Sequence, residues 1–168
     1  MFFPGTGYGT IDGGTGQDTV NFSNVSNGVS GSLYTSHPIY DLVGGLGVIS
    51  VNGSGLLVKN VEHVIGSPFN DTISGDDGDN MLLGSHGSDV LNGKVGNDLL
   101  VAGGGSDSLT GGDGADVFEL TDRDSTVTIT DYHFSQGDRI ELDVKALGLA
   151  ANANLSNYVQ YDLSLIHI

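Results

Sequence analysis

Between residues 66 and 119 a large apolar residue recurs at every ninth position: Ile73, Leu82, Leu91, Leu100, Leu109 and Phe118. Two positions before each stands an acid or its amide, Asp71, Asn80, Asp89, Asp98, Asp107 and Asp116. The six units read GSPFNDTIS, GDDGDNMLL, GSHGSDVLN, GKVGNDLLV, AGGGSDSLT and GGDGADVFE, with no slip in phase. A fourth-position glycine (Gly78, Gly87, Gly96, Gly105, Gly114) permits positive φ in a tight turn, and the three residues after the acid suffice for one short strand. Turn plus strand makes half a coil. Two units then return the chain beside itself, and residues eighteen apart stack at about 4.8 Å. The pattern predicts an all-β, right-handed parallel β-roll with eighth positions inward and seventh and ninth positions outward.

Stacking eighteen apart sorts the acids into two columns, Asp71 with Asp89 and Asp107, and Asn80 with Asp98 and Asp116. Carboxylates about 5 Å apart repel by roughly 3 kcal/mol per pair at an effective dielectric near 20. A coil this thin cannot absorb that repeatedly, so a cation is expected between them. Calcium takes oxygen ligands at about 2.3–2.6 Å, which matches the strand spacing, whereas magnesium binds closer and sheds water reluctantly. Carbonyls of the glycine turns, at Gly78, Gly87, Gly96 and Gly105, are expected to complete the shell, giving at most four full sites, two per column. A single GxGxD is most often a glycine turn capped by Asp; six copies in phase outweigh that reading. An EF-hand at 76–80 is excluded, because no Glu stands at the twelfth position and no helical pattern flanks it.

The unit GGTGQDTVN at 13–21 repeats the pattern apart from the main run and places Asp18 as an isolated ligand; PGTGYGTID before it carries Gly9 where the acid belongs. Residues 1–21 are expected to form a short repeat cap and 22–65 a β-rich insert, with alternating stretches at 48–52 and 56–65. Residues 66–119 form the roll, and 120–162 a C-terminal capping region of further alternating stretches that protects an open sheet edge. The final six residues, LSLIHI at 163–168, read as the translation of a sequencing-library transposon end, and both ends are expected to be cuts in a longer chain.

The outward positions distinguish the two sheets. On one they are Met81, Leu83, Leu99, Val101, Val117 and Glu119; on the other Thr72, Ser74, Val90, Asn92, Ser108 and Thr110. An apolar strip of this kind is usually covered, so the insert or the C-terminal segment is expected to pack on it, a partner or second copy being the alternative.

Composition narrows the function. The chain has 28 Gly, three Pro and a net charge of −16 from 21 acidic and five basic residues, an excess that makes sense as ligands for cations. Nucleic acid is excluded as a partner, since its phosphates require basic patches. There is no cysteine, so disulfides and thiolate metal sites are unavailable. No stretch of eighteen apolar residues exists to span a membrane, and the N-terminus lacks the charged and apolar regions of a Sec signal peptide. The zinc-protease H-E-x-x-H and the G-x-S-x-G elbow are both missing, and His37, His63, His86 and His133 stand singly. The chain is expected not to be an enzyme.

Residues 66–119 resemble the hemolysin-type calcium-binding repeats of RTX proteins, whose template is G-G-x-G-x-D-x-U-x. VEHVIGSPFNDTISG at 61–75 resembles the phrase that opens such blocks, and GADVFEL with ITDYHFSQGDRIELDV the segment that closes them. LDVKALGL and LSNYVQ are similar to the C-terminal region of large RTX adhesins exported by type I secretion. The resemblance implies a parallel β-roll with calcium in its turns, an extracellular or cell-surface location, and the type I secretion machinery as partner. Asp89, Asp98, Asp107 and Asp116 are the strongest ligand candidates, with Asp71 next and Asp18 apart. Asn80 makes the site between 75–83 and 93–101 the weakest, and Phe69 and Ala102 depart from the template's glycines. The alternative function is surface recognition of a glycan or cell, with Tyr34, His37 and Tyr40 of the insert as stacking groups, or service as the trailing domain of a secreted hydrolase.

Overall fold

The computed structural model describes residues 1, 9–33, 47–51 and 54–148. Its strands in chain order begin with β1 (Gly9–Asp12), β2 (Thr19–Asn21), β3 (Val29–Ser32), β4 (Gly47–Val51), β5 (Ser54–Lys59) and β6 (His63–Ile65). The repeat block supplies β7 (Thr72–Ser74), β8 (Met81–Leu83), β9 (His86–Gly87), β10 (Val90–Val95), β11 (Leu99–Val101), β12 (Gly104–Asp113) and β13 (Val117–Leu120). After it come β14 (Thr126–Ile129), a single 3-10 turn at Phe134–Gln136, and β15 (Arg139–Leu142).

These strands make two sheets. One runs β15-β13-β11-β8-β6-β2; the other runs β1-β5-β4-β3-β7-β10-β12-β14, with β9 paired to β12. Within the repeats every pairing is parallel and joins residues eighteen apart: Ile73, Leu91 and Leu109 lie side by side in one sheet, Leu82, Leu100 and Phe118 in the other. The chain alternates between sheets at each unit, so the architecture is a parallel β-roll, as the nine-residue period predicts.

Alternation along each strand explains the core. The six eighth-position residues are between 0% and 1% exposed. They continue downward into Val20, Val29, Leu33, Val58 and Val64, and Phe22 joins the same cluster. At the upper end Phe118 packs against Tyr132, ring centroids 6.3 Å apart, and Val127 and Ile129 lie against the cluster.

The stretch expected as an insert has two parts. β3 pairs in parallel with β7 (Gly31 opposite Ile73) and is a strand of the roll, because Val29 and Leu33 point into the same core. β4 and β5 then form an antiparallel excursion beyond it, and β1 returns parallel to β5. These strands extend the polar sheet edgewise. They do not lie over Met81, Leu83, Leu99 and Val101, which stay half-buried on the outer face of the other sheet. The expected cover is thus not provided by the described residues; edge addition satisfies backbone hydrogen bonds, which face packing would leave open. The recognition residues proposed at 34–40 and the strand expected at 154–163 lie outside the described residues.

The two faces of one strand should respond differently to substitution. Leu100→Ala is expected to cost about 2–5 kcal/mol of stability, the usual cost of a core cavity, whereas Leu99→Thr should stay within about 1 kcal/mol. Chemical denaturation in saturating calcium tests this, and equal losses at the two positions would contradict the assignment of faces.

Candidate metal centre

The turns of alternate units stack, and each sixth-position side chain is drawn under the coil before it. The Asp71 N–H donates to Asp89 Oδ1 at 2.8 Å, and the Asp89 N–H to Asp107 Oδ1 at 3.0 Å. In the second column the Asn80 N–H donates to Asp98 Oδ1 at 2.8 Å and the Asp98 N–H to Asp116 Oδ1 at 2.9 Å. The columns are therefore ladders in which a peptide N–H alternates with a carboxylate, not bare pairs of acids. One oxygen of each acid is satisfied by this donor.

The second oxygen separates the residues. Oδ2 of Asp89, Asp98, Asp107 and Asp116 is buried with no hydrogen-bond partner among the described residues, and these four acids are between 0% and 3% exposed. They coincide with the four strongest ligand candidates of the sequence. A buried carboxylate oxygen without a donor carries the full desolvation cost of the group. The consequence is visible in the acidities. Burial pushes Asp89 up to about 7, opposed by the Asp71 N–H and reinforced by the charges of Asp71 and Asp107. Burial likewise pushes Asp98 up to about 7, opposed by the Asn80 N–H and reinforced by Asp116, Asp79 and Asp76. Asp107 and Asp116 are raised for the same first reason.

Asp71 departs from expectation. Its Oδ2 accepts the Ser67 N–H at 2.7 Å, and its Oδ1 accepts the Val29 N–H at 2.6 Å and the Ser67 hydroxyl at 2.7 Å. With both oxygens engaged it closes the column and offers no free oxygen. Asn80 is closed similarly, its Oδ1 accepting the Asp76 N–H at 2.7 Å.

The glycines have two separate duties. Gly87, Gly96, Gly105 and Gly114 adopt φ of 132°, 125°, 127° and 141° as expected, but Gly78 does not adopt positive φ, because its turn has the closed form just described. The leading glycine instead makes room: a Cβ on Gly84 would collide with Asp89 Oδ2 and with the carbonyl oxygen of Ala102 in the next coil. That point in the turn is rich in oxygen.

The columns also extend beyond the six units of the repeat block. Asp18 is not isolated: Thr19 pairs with His63 and His63 with Met81, so Asp18, Glu62, Asn80, Asp98 and Asp116 form one file. The Asp18 N–H donates to Glu62 Oε2 at 2.8 Å, a rung of the same kind. Counting nine back from Gly66 places Glu62 at a sixth position and Val64 at an eighth, a signal present in the sequence. At the other end Asp138, twenty-two residues beyond Asp116, accepts the Asp116 N–H at 3.0 Å and the His133 N–H at 2.7 Å. A parallel ladder at the fifth positions runs from Asn70 to the Ser88 N–H and from Asp79 through Asn97 to Ala115. His86, expected in a turn, is exposed but lies in the two-residue strand β9, opposite Gly104.

Among the described residues no three His, Asp or Glu side chains converge on one point. A cation here must take part of its shell from main-chain carbonyls, which suits a hard ion that accepts six to eight oxygens and not zinc. The orphaned Oδ2 atoms and the adjacent carbonyls fit calcium, and Asp89, Asp98, Asp107 and Asp116 would hold it.

Fold and site together define a calcium-binding parallel β-roll. Residues 65–100 and 92–120 match the family model of the RTX calcium-binding nonapeptide repeat. The block thus carries RTX repeats, which are calcium-binding motifs. No curated protein matches the chain.

Because the folded carboxyls titrate above the ordinary carboxylate value near 4, their contribution to the metal-free roll is fully present below about pH 4 and is lost as pH rises through about 7. Acidifying the calcium-free protein from pH 8 should increase its β signal by far-UV circular dichroism. Calcium affinity should fall over the same range, since protons compete for the same oxygens. A metal-free β signal that declines steadily on acidification would count against buried, charge-strained columns.

Proposed function

We propose that this module folds when it meets extracellular calcium, and that it thereby supports type I secretion and the stability of a larger exported protein. One observation carries the reading: the folded roll buries four carboxylate oxygens that no donor among the described residues satisfies. In a cytosol poor in calcium those oxygens and their neighbours oppose the fold, so the chain stays open enough to pass a narrow channel. Outside the cell, calcium supplies the missing partner and the two ladders close.

The magnitude is adequate. Extracellular calcium modules bind with Kd of about 10⁻⁴–10⁻³ M, and a site at ten times its Kd adds about 1.4 kcal/mol to stability. Four such sites would add about 6 kcal/mol, which reaches the lower end of an ordinary domain's marginal stability of about 5–15 kcal/mol. No helix among the described residues is long and apolar enough to cross a membrane. The module is proposed to be non-catalytic, with any catalytic domain of the exported protein lying elsewhere in it.

A second reading, recognition of a glycan or cell surface, is favoured by the half-exposed aliphatic face around Leu83, Leu99 and Val101. Binding of the calcium-loaded protein on a glycan array, abolished by polar substitutions on that face, would support it.

The decisive experiment is a calcium titration followed by far-UV circular dichroism, with magnesium as control. A cooperative gain of β structure between sub-millimolar and millimolar calcium, absent with magnesium, is expected. A chain fully folded in chelator at neutral pH would refute the calcium-gated role in export.

A further inference from the structure

The six turns of the repeat block fall into two conformations, and they differ at the second position of the unit. In the turns 66–71 and 75–80 the second residue, Ser67 or Asp76, keeps negative φ. Its N–H points into the column and donates to the sixth residue, to Asp71 Oδ2 and to Asn80 Oδ1, both at 2.7 Å. In the turns 84–89, 93–98, 102–107 and 111–116 the second residue has positive φ: 81° at Ser85, 83° at Lys94, 88° at Gly103 and 105° at Gly112. No N–H reaches Oδ2 of the sixth residue there, and in all four turns that buried oxygen is without a partner.

Two of these four second residues are not glycine. Positive φ at Ser85 and Lys94 is unfavourable for an L-residue, and it coincides with an unsatisfied oxygen that the alternative turn would satisfy. The chain shows that alternative in the coil directly beneath. Ser67 stands eighteen residues before Ser85, is the same residue type, and makes the bond that Ser85 does not. A turn that gives up both a hydrogen bond and a relaxed backbone requires a compensating partner at Oδ2, and a cation bound there is one.

We infer that the second-position N–H and calcium compete for the same oxygen, so that the turns 66–71 and 75–80 are closed and take no calcium on Asp71 or Asn80, whereas the four turns from Gly84 onward are open and take it. The inference rests on the calcium-binding reading above and adds to it which turns are excluded. Side chains lock the closed pair. The Ser67 hydroxyl holds Asp71 Oδ1 at 2.7 Å, and Asp76 Oδ1 accepts from Asn80 Nδ2 at 3.2 Å and from the Gly78 N–H at 2.9 Å. The first coil of the repeat block is therefore a metal-free floor on which the calcium-loaded coils stand.

The test is a crystal of the full chain grown with a lanthanide in place of calcium, read by its anomalous difference map. Peaks within ligand distance of Asp89, Asp98, Asp107 or Asp116, with none on Asp71 or Asn80, are expected. A peak ligated by Asp71 or Asn80 overturns the inference while leaving the calcium reading intact; a map without peaks in any turn removes both. A gain-of-site variant gives an independent answer in solution. Asp76→Gly with Asn80→Asp restores the template in the second unit and removes the lock, and it should raise the calcium bound per chain in equilibrium dialysis. Unchanged stoichiometry in a variant that still folds, by circular dichroism in calcium, would show that the second and sixth residues do not set the state of the turn.

Discussion

Everything in this roll follows from one geometrical constraint: a peptide N–H lies beneath each coil at the position where the next coil presents a buried carboxylate. The bond between them fixes the register of the stack, because Asp89 and Asp98 can each reach only one N–H. It also consumes one carboxylate oxygen and leaves the other buried without a donor among the described residues. Hydrophobic burial alone does not give this precision. The inward Leu and Ile side chains would tolerate rearrangement with modest loss, whereas a slipped ladder would strand both a donor and a charge.

The ends of the ladders show how the constraint is relieved. One column is bounded below by Val29 opposite Asp71 and above by Val127 opposite Asp107, so apolar residues replace acids where the stack stops. The other runs from Asp18 through Glu62 to Asp138, and Asp138 terminates it by accepting the Asp116 N–H on one oxygen and the His133 N–H of the cap on the other. The two-stranded excursion of β4 and β5 enters between residues that stack on each other, and leaves the columns undisturbed because it extends the sheet edge rather than the turns.

Much of this was legible in the chain. Nine-residue periodicity determines the parallel pairing, the inward positions and the two files in which the four acids with orphaned oxygens stand, since each depends only on counting. What counting cannot reach depends on local alternatives of similar energy. Asp71 and Asp89 occupy equivalent positions in similar units, yet Ser67 turns its N–H inward and Ser85 does not. Glu62 and Asp138 escape the pattern for a different reason. Glu62 keeps the eighteen-residue spacing but stands in a stretch without the glycine turn, and Asp138 satisfies the same rung at a spacing of twenty-two. The apolar outer face was legible as apolar, but the cover expected from the insert or the C-terminal segment is not provided by the described strands, which extend a sheet edge instead; composition reports what a surface is and not what approaches it.

The pairing of residues eighteen apart also governs how such a gene can change in length. Loss or gain of one nonapeptide by slippage during replication would transfer every later strand to the opposite sheet. The aliphatic face and the polar face would exchange from that point on, and Val127 would fall where Asp138 now ends its column. Loss or gain of two leaves each strand on its own sheet and each acid in its own file. Copy number in this architecture is therefore quantised in pairs, and a chain of odd count must carry a compensating irregularity in its cap.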